Sequence, residues 1–185
     1  MKRRNQAFYR SVLIILLCGV GFMYSQSETV YQRLEESVAA TVQSGVQVGQ
    51  VAVPFSLNTL SGEEISLEDY AGKNVVLHFF ATWCSPCQDE MPLIVEMEKR
   101  LKQEGRELVV VNLTSQEQSK SDIRPFLQYF KATFDPLLDE KGEVMKAYQV
   151  IGIPTTLVIN EEGIIVERIN GGLSKDMMEE LIFTN

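Results

Sequence analysis

Two thiols set three residues apart, where an apolar strand gives way to a helix, constrain this chain more than any other feature. They are Cys84 and Cys87 of Trp83-Cys84-Ser85-Pro86-Cys87, which follows the apolar run Val75-Val76-Leu77-His78-Phe79-Phe80. One helical turn separates the two sulfurs, close enough to close a disulfide. Cys84 falls at the helix N-terminus, where unpaired amides and the helix dipole favour a thiolate. Pro86 suits the first helical turn, where its missing N–H has no partner to lose. The spacing therefore predicts redox chemistry, with Cys84 as nucleophile and Cys87 as resolving thiol. Zinc is a poor alternative: a closed site needs four ligands, and beyond this pair the chain offers only Cys18 and His78. A purely structural disulfide over so short a loop would constrain little of the unfolded chain.

With 185 residues, 45% of them hydrophobic, the chain can bury one full-sized core but hardly two, so one domain is expected. The formal net charge is -8, yet Lys2, Arg3, Arg4 and Arg10 crowd the first ten positions. The remainder holds 13 Lys and Arg against 25 Asp and Glu, a net of -12. A body this acidic repels phosphate backbones, which argues against nucleic-acid binding.

That basic start is followed by an uncharged stretch, Ser11 to Tyr24. Basic residues stay on the cytoplasmic side of a membrane, which places the acidic body outside the cytoplasm. The stretch is short for a spanning helix and its length also suits a cleavable signal peptide, with Ser25 and Ser27 as small residues near a cleavage point. Counted from Ala7, with Arg10 reaching the interface, it just spans, and an uncleaved anchor over residues 1–25 is the expectation. Cys18 reads as an apolar filler of that helix. Residues 26–47 form a spacer: Tyr31, Leu34, Val38 and Val42 recur at helical spacing, and Ser44-Gly45 reads as linker. The compact domain is expected over 48–185.

Within it, Phe55-Ser56-Leu57 and Glu64-Ile65-Ser66 flank a turn at Ser61-Gly62, the pattern of a hairpin. Asn74 to Thr82 reads as a central strand covered on both faces. Pro86 to Glu104 reads as a helix stopped by Gly105, Glu107 to Leu113 as a second buried strand, and Thr114 to Lys120 as a polar loop. Ser121 to Lys131 suits a helix capped by Ser121 or Asp122 with Pro125 in its first turn. Further on come a short helix over Gly142 to Gln149, strands over Thr155 to Ile159 and Ile164 to Ile169, and a last helix capped by Ser174 and running to about Phe183. This order predicts an α/β domain, a central mixed sheet flanked by helices with an N-terminal β-hairpin extension.

That order, together with Trp83-Cys84-Ser85-Pro86-Cys87 and the later Gly152-Ile153-Pro154-Thr155-Thr156, resembles the thioredoxin superfamily. The hairpin, the lead-in Ala81-Thr82-Trp83, the follow-on Gln88-Asp89-Glu90-Met91-Pro92 and the anchor narrow the resemblance to the TlpA/ResA-type thiol–disulfide oxidoreductases, over about residues 48 to 183. The resemblance implies a cis Pro154 facing the dithiol, with the backbone of Ile153 free to pair with an extended substrate segment. It implies that Glu90 tunes the dithiol, the alternative being a solvated helix charge, and that Trp83 and Pro86 shape the substrate rim. Pro92 is expected to kink the helix. His78 stands where thioredoxin has a buried acid; it is either a replacement base or a core residue satisfied by a hydrogen bond, the latter favoured. Ser115 takes a place where ResA-like members can carry an acid.

The resemblance further implies reduction of substrate disulfides by dithiol exchange, with no external cofactor and no metal. The substrates it implies are extracytoplasmic disulfide proteins, apocytochrome c before haem attachment among them, and the electron supplier a membrane partner of the CcdA/DsbD type. Two rival functions fit the spacing less well. A copper metallochaperone of the Sco type needs a wider cysteine spacing and a histidine far downstream. A peroxiredoxin-like peroxidase needs a threonine three positions before its cysteine, whereas Thr82 precedes Cys84 by two.

Overall fold

Alternation along one strand decides how both faces of the sheet are covered. The computed structural model describes residues 44–183. In it, β5 (Val75–Phe80) is buried at every position. Successive side chains of a strand point to opposite faces. Val76 and Phe80 accordingly join one core cluster and Val75, Leu77 and Phe79 the other. His78 has the parity of the first set, which puts it on the face covered by the helix that carries the cysteines.

The strands are β1 (Ser44–Gly45), β2 (Val51–Ala52), β3 (Ser56–Asn58), β4 (Glu64–Ser66), β5, β6 (Glu107–Asn112), β7 (Leu137–Leu138), β8 (Thr155–Ile159) and β9 (Ile165–Asn170), and the helices are α1 (Ser85–Gln103), α2 (Ile123–Phe130), α3 (Glu143–Ala147) and α4 (Lys175–Phe183). The five-stranded sheet runs β7-β6-β5-β8-β9, with β5, β6 and β7 parallel and β8 antiparallel to both neighbours. This is the expected mixed sheet flanked by helices, with β3 and β4 as the antiparallel hairpin. The hairpin borders the β7 edge: Thr59 bridges Leu137, and Leu60 N–H donates to Pro136 O at 3.0 Å.

Several details differ from the sequence reading. Ser44-Gly45, read as linker, forms a strand parallel to Val51–Ala52, and Val46 is buried. Arg168 donates to Val46 O at 3.2 Å, so the packed domain reaches at least four residues ahead of Val48. The cap expected at Ser121 or Asp122 is displaced: Ser119 Oγ accepts from Ser121 N–H and starts a 3-10 turn, Lys120–Asp122, that leads into α2. Strand β7 falls in the stretch 132–141, which the sequence reading assigns to no element, since two residues carry no periodicity. The final helix starts as expected, with Ser174 Oγ accepting from Met177 N–H. α1 runs on through Pro92. The expected anchor at 1–25, Cys18 and the spacer helix lie outside the described residues. Among the described residues no helix is long and apolar enough to cross a membrane.

Candidate active site

The sheet delivers Cys84 to the end of a helix. β5 stops at Phe80, a short turn follows in which Cys84 N–H donates to Ala81 O at 3.3 Å, and Cys84 then becomes the N-cap of α1. Its Sγ accepts the Cys87 N–H at 3.2 Å. An N-cap oxygen normally fills that role; here a sulfur takes the orphan amide, and in the reduced protein that amide and the helix dipole act on the same atom. Cys84 and Cys87 are joined in a disulfide. Cys87 is fully buried, whereas Cys84, 4% exposed, borders an open groove. Pro86 lies exposed in the first turn.

A second segment faces the first sulfur. The Ile153–Pro154 peptide is cis, and Ile153 O lies 3.6 Å from Cys84 Sγ. Pro154 is buried and its carbonyl accepts from Gly171 N–H at 2.8 Å, which fixes the loop to the end of β9. Between this loop and the dithiol runs an open groove of about 530 Å³, bordered by Trp83, Pro86, Met145, Ile151 and Ile153. Ile151 is 97% exposed and Trp83 50%, an uncommon outlay of large apolar surface beside one sulfur.

The approach to the dithiol is tied down by Glu117. Its carboxylate accepts from Thr82 N–H at 2.7 Å, from Thr82 Oγ1 at 2.5 Å and from the buried Asn112 Nδ2 at 2.7 Å. Trp83 Nε1 donates to Gln116 O at 2.9 Å, and Gln88 Nε2 to Thr82 O at 2.7 Å. Thr82 and Trp83, the two residues ahead of Cys84, are thus held by the loop that follows β6, and Thr82 also by Gln88 of α1.

Beneath the disulfide sits a buried polar pair. Glu90, one turn beyond Cys87 on the same helix face, is 6% exposed, and its Oε2 accepts from Leu173 N–H at 2.7 Å. Burial pushes its carboxyl up to about 7, against the opposing pull of that N–H. His78, wholly buried, places Nε2 3.4 Å from Glu90 Oε1 and Nδ1 3.0 Å from Thr156 Oγ1. Burial lowers the imidazole to about 3, so it is neutral at physiological pH and the contact with Glu90 is no ion pair.

Of the residues singled out from sequence, Trp83, Cys84, Pro86, Cys87, Ile153 and Pro154 come together around the sulfur and the groove, while Glu90 lies deeper, against His78. Ser115 instead sets its Oγ 2.9 Å from where a Cβ on Gly142 would stand. Glu117, Thr156, Leu173 and Ile151 were not anticipated. Thr156 had a signal: as the cross-strand partner of His78 it must share its face. Glu117 had none, being one acid in a polar loop.

A helix-capping dithiol beside a cis-proline loop, on a five-stranded mixed sheet, defines the class: a thioredoxin-fold thiol–disulfide oxidoreductase. By its match over residues 48–168 the chain belongs to the AhpC/TSA family. It is similar to the thiol-disulfide oxidoreductase ResA of Bacillus subtilis, 33% identical over 181 residues covering 97% of this chain and 93% of that protein. It is likewise similar to the thioredoxin-like protein YneN of Bacillus subtilis, 43% identical over 136 residues, 74% of this chain and 79% of the other. Among solved structures, the crystal structure of StoA from Bacillus subtilis superposes with a TM-score of 0.63 at 35% identity, covering 71% of this chain and 97% of StoA.

Proposed function

We propose that this enzyme is a protein-disulfide reductase held at the outer face of the membrane by its N-terminal segment. The observation that carries the catalytic part is the Cys84 sulfur, which accepts an amide at the helix N-terminus and lies at the edge of an apolar groove, while Cys87 is sealed behind it. In the reduced enzyme the Cys84 thiolate attacks one sulfur of a substrate disulfide. A Cys84–substrate bond forms and the other substrate sulfur leaves as thiolate. Cys87 then loses its proton to Glu90 and attacks Cys84 Sγ, which releases the second substrate thiolate. Two electrons have passed to the substrate, and the enzyme is left in the disulfide state seen here.

Trp83, Pro86, Ile153 and Pro154 form the substrate contact surface, with an extended segment laid along the groove and its backbone against Ile153. The basic N-terminus ahead of an uncharged stretch and the ResA likeness support an extracytoplasmic location. The family resemblance supports substrates among exported disulfide proteins, including apocytochrome c before haem attachment, and re-reduction by a CcdA/DsbD-type membrane dithiol.

The test is insulin reduction with dithiothreitol as electron source. Cys84→Ser should abolish turnover, and Cys87→Ser should accumulate mixed disulfides. Normal turnover in either variant would overturn the assignment. For location, protease added to intact cells should remove the domain and leave a small membrane-bound stub.

A further inference from the structure

We infer that His78 is a positioning residue for Glu90, its imidazole hydrogen-bonding the carboxyl in both protonation states so that Glu90 can give and take a proton while buried. The inference deepens the dithiol reading above and rests on it, since it concerns the group that receives the Cys87 proton.

Glu90 Oε1 and His78 Nε2 are both buried without any other partner, and they face each other at 3.4 Å. The remaining atom of each side chain is already engaged, Glu90 Oε2 by Leu173 N–H and His78 Nδ1 by Thr156 Oγ1. Two orphaned atoms at that separation are satisfied only if a hydrogen lies between them. A threonine hydroxyl donates or accepts equally well, so Thr156 leaves both imidazole tautomers open. With Glu90 protonated, Oε1–H donates to Nε2 and Nδ1–H donates to Thr156. With Glu90 ionised, Nε2–H donates to the carboxylate and the Thr156 hydroxyl turns to donate to Nδ1. Between the two states the trio loses one proton, the one the carboxyl exchanges with Cys87, and the imidazole is neutral in both.

A hydrogen bond to a carboxylate is stronger than one from a neutral carboxyl. The imidazole therefore favours the ionised form and holds the titration of Glu90 below where burial alone would put it. The groups facing the carboxyl allow this to be seen. In the oxidised protein Cys84 and Cys87, bonded to each other, do not titrate, and His78 of β5 is the titratable group that meets the carboxyl. β8 contributes the Thr156 hydroxyl, the segment before α4 contributes the Leu173 N–H, and no charged side chain contributes to its shift.

His78 is the chain's single histidine, so nitrogen NMR reads its ring without ambiguity. In the oxidised full-length chain, titrated from about pH 5 to about pH 9, the ring should pass from the Nδ1–H to the Nε2–H tautomer, and Glu90→Gln should remove the change. Flat ring shifts, or an imidazolium in that range, would overturn the inference. Independently, infrared detection of the protonated carboxyl should show His78→Leu raising the Glu90 midpoint by about one pH unit, a roughly tenfold lower ratio of carboxylate to acid at neutral pH. His78→Gln, whose amide N–H reaches toward the same oxygen, should recover at least half of that. Midpoints unmoved in both variants would make His78 a core filler, and an equal rise in both would assign the effect to packing. Failure of insulin reduction in the unaltered enzyme, with the tautomer change intact, would instead sink the dithiol reading alone.

Discussion

At Cys84 and Glu90 one helix treats charge in opposite ways. Its first turn offers free amides to a sulfur at the edge of the groove, which favours the anion. One turn past Cys87 it carries a carboxyl into the core, where the missing water favours the neutral acid. Linkage turns the buried pair into a stability prediction. Glu90 binds its proton more tightly folded than unfolded between its ordinary 4.5 and about 7, so stability falls as pH rises through that window. His78 binds its proton less tightly folded between about 3 and its ordinary 6.5, so stability rises with pH there. Each slope is about 1.4 kcal/mol per pH unit, and the two cancel where the windows overlap. Urea unfolding of the oxidised protein should therefore show a contribution that climbs from about pH 3 to about 4.5 and is then level to about 6.5. Glu90→Gln should extend the climb across the level stretch, and His78→Gln should turn that stretch into a decline. A level stretch retained in both variants would contradict the assignment.

Among the elements, the loop after β6 governs the approach to the dithiol through one carboxylate. Glu117→Ala removes three hydrogen bonds and strands the buried Asn112 amide. It should cost about 2 kcal/mol in urea unfolding and slow insulin reduction as the Thr82–Trp83 segment loosens. A variant of unchanged stability would show the anchor to be dispensable. Gly142 precedes α3 at φ +68° with no room for a methyl group beside Ser115 Oγ. Gly142→Ala should lower stability by about 1 kcal/mol or more, and Ser115→Ala in the same chain should return part of it. The element order was legible because long apolar runs and caps announce themselves, as Val75 to Phe80 and Ser174 did. β7 was not, because Leu137–Leu138 becomes a strand only through its pairing with Val111 and Asn112. Ser119 displaced the expected caps because its hydroxyl reaches the Ser121 amide, a choice that local sequence leaves open.

For the molecule as a whole, net charge biases which disulfides approach. Beyond the first ten residues the chain carries a net of -12, so cystamine, a cationic disulfide, should react faster than anionic oxidised glutathione at low ionic strength. Added salt should narrow the gap as screening shortens the reach of the field; a rate ratio independent of salt would assign the preference to the groove. The sequence by itself determined the chemistry and its place on the chain: two thiols one turn apart at a strand-to-helix junction, with His78 inside the strand that leads to them. These are local facts, fixed by covalent spacing and by the periods of helix and strand. Only the tertiary structure decided what surrounds the thiols. Glu117, Thr156, Leu173 and Ile151 lie between 33 and 89 residues from Cys84 in sequence, 69 separating Ile153 from it at 3.6 Å. Burial is what gives Glu90 and His78 their altered proton affinities, and burial is a property of the packed sheet and helices, which no local stretch of residues carries.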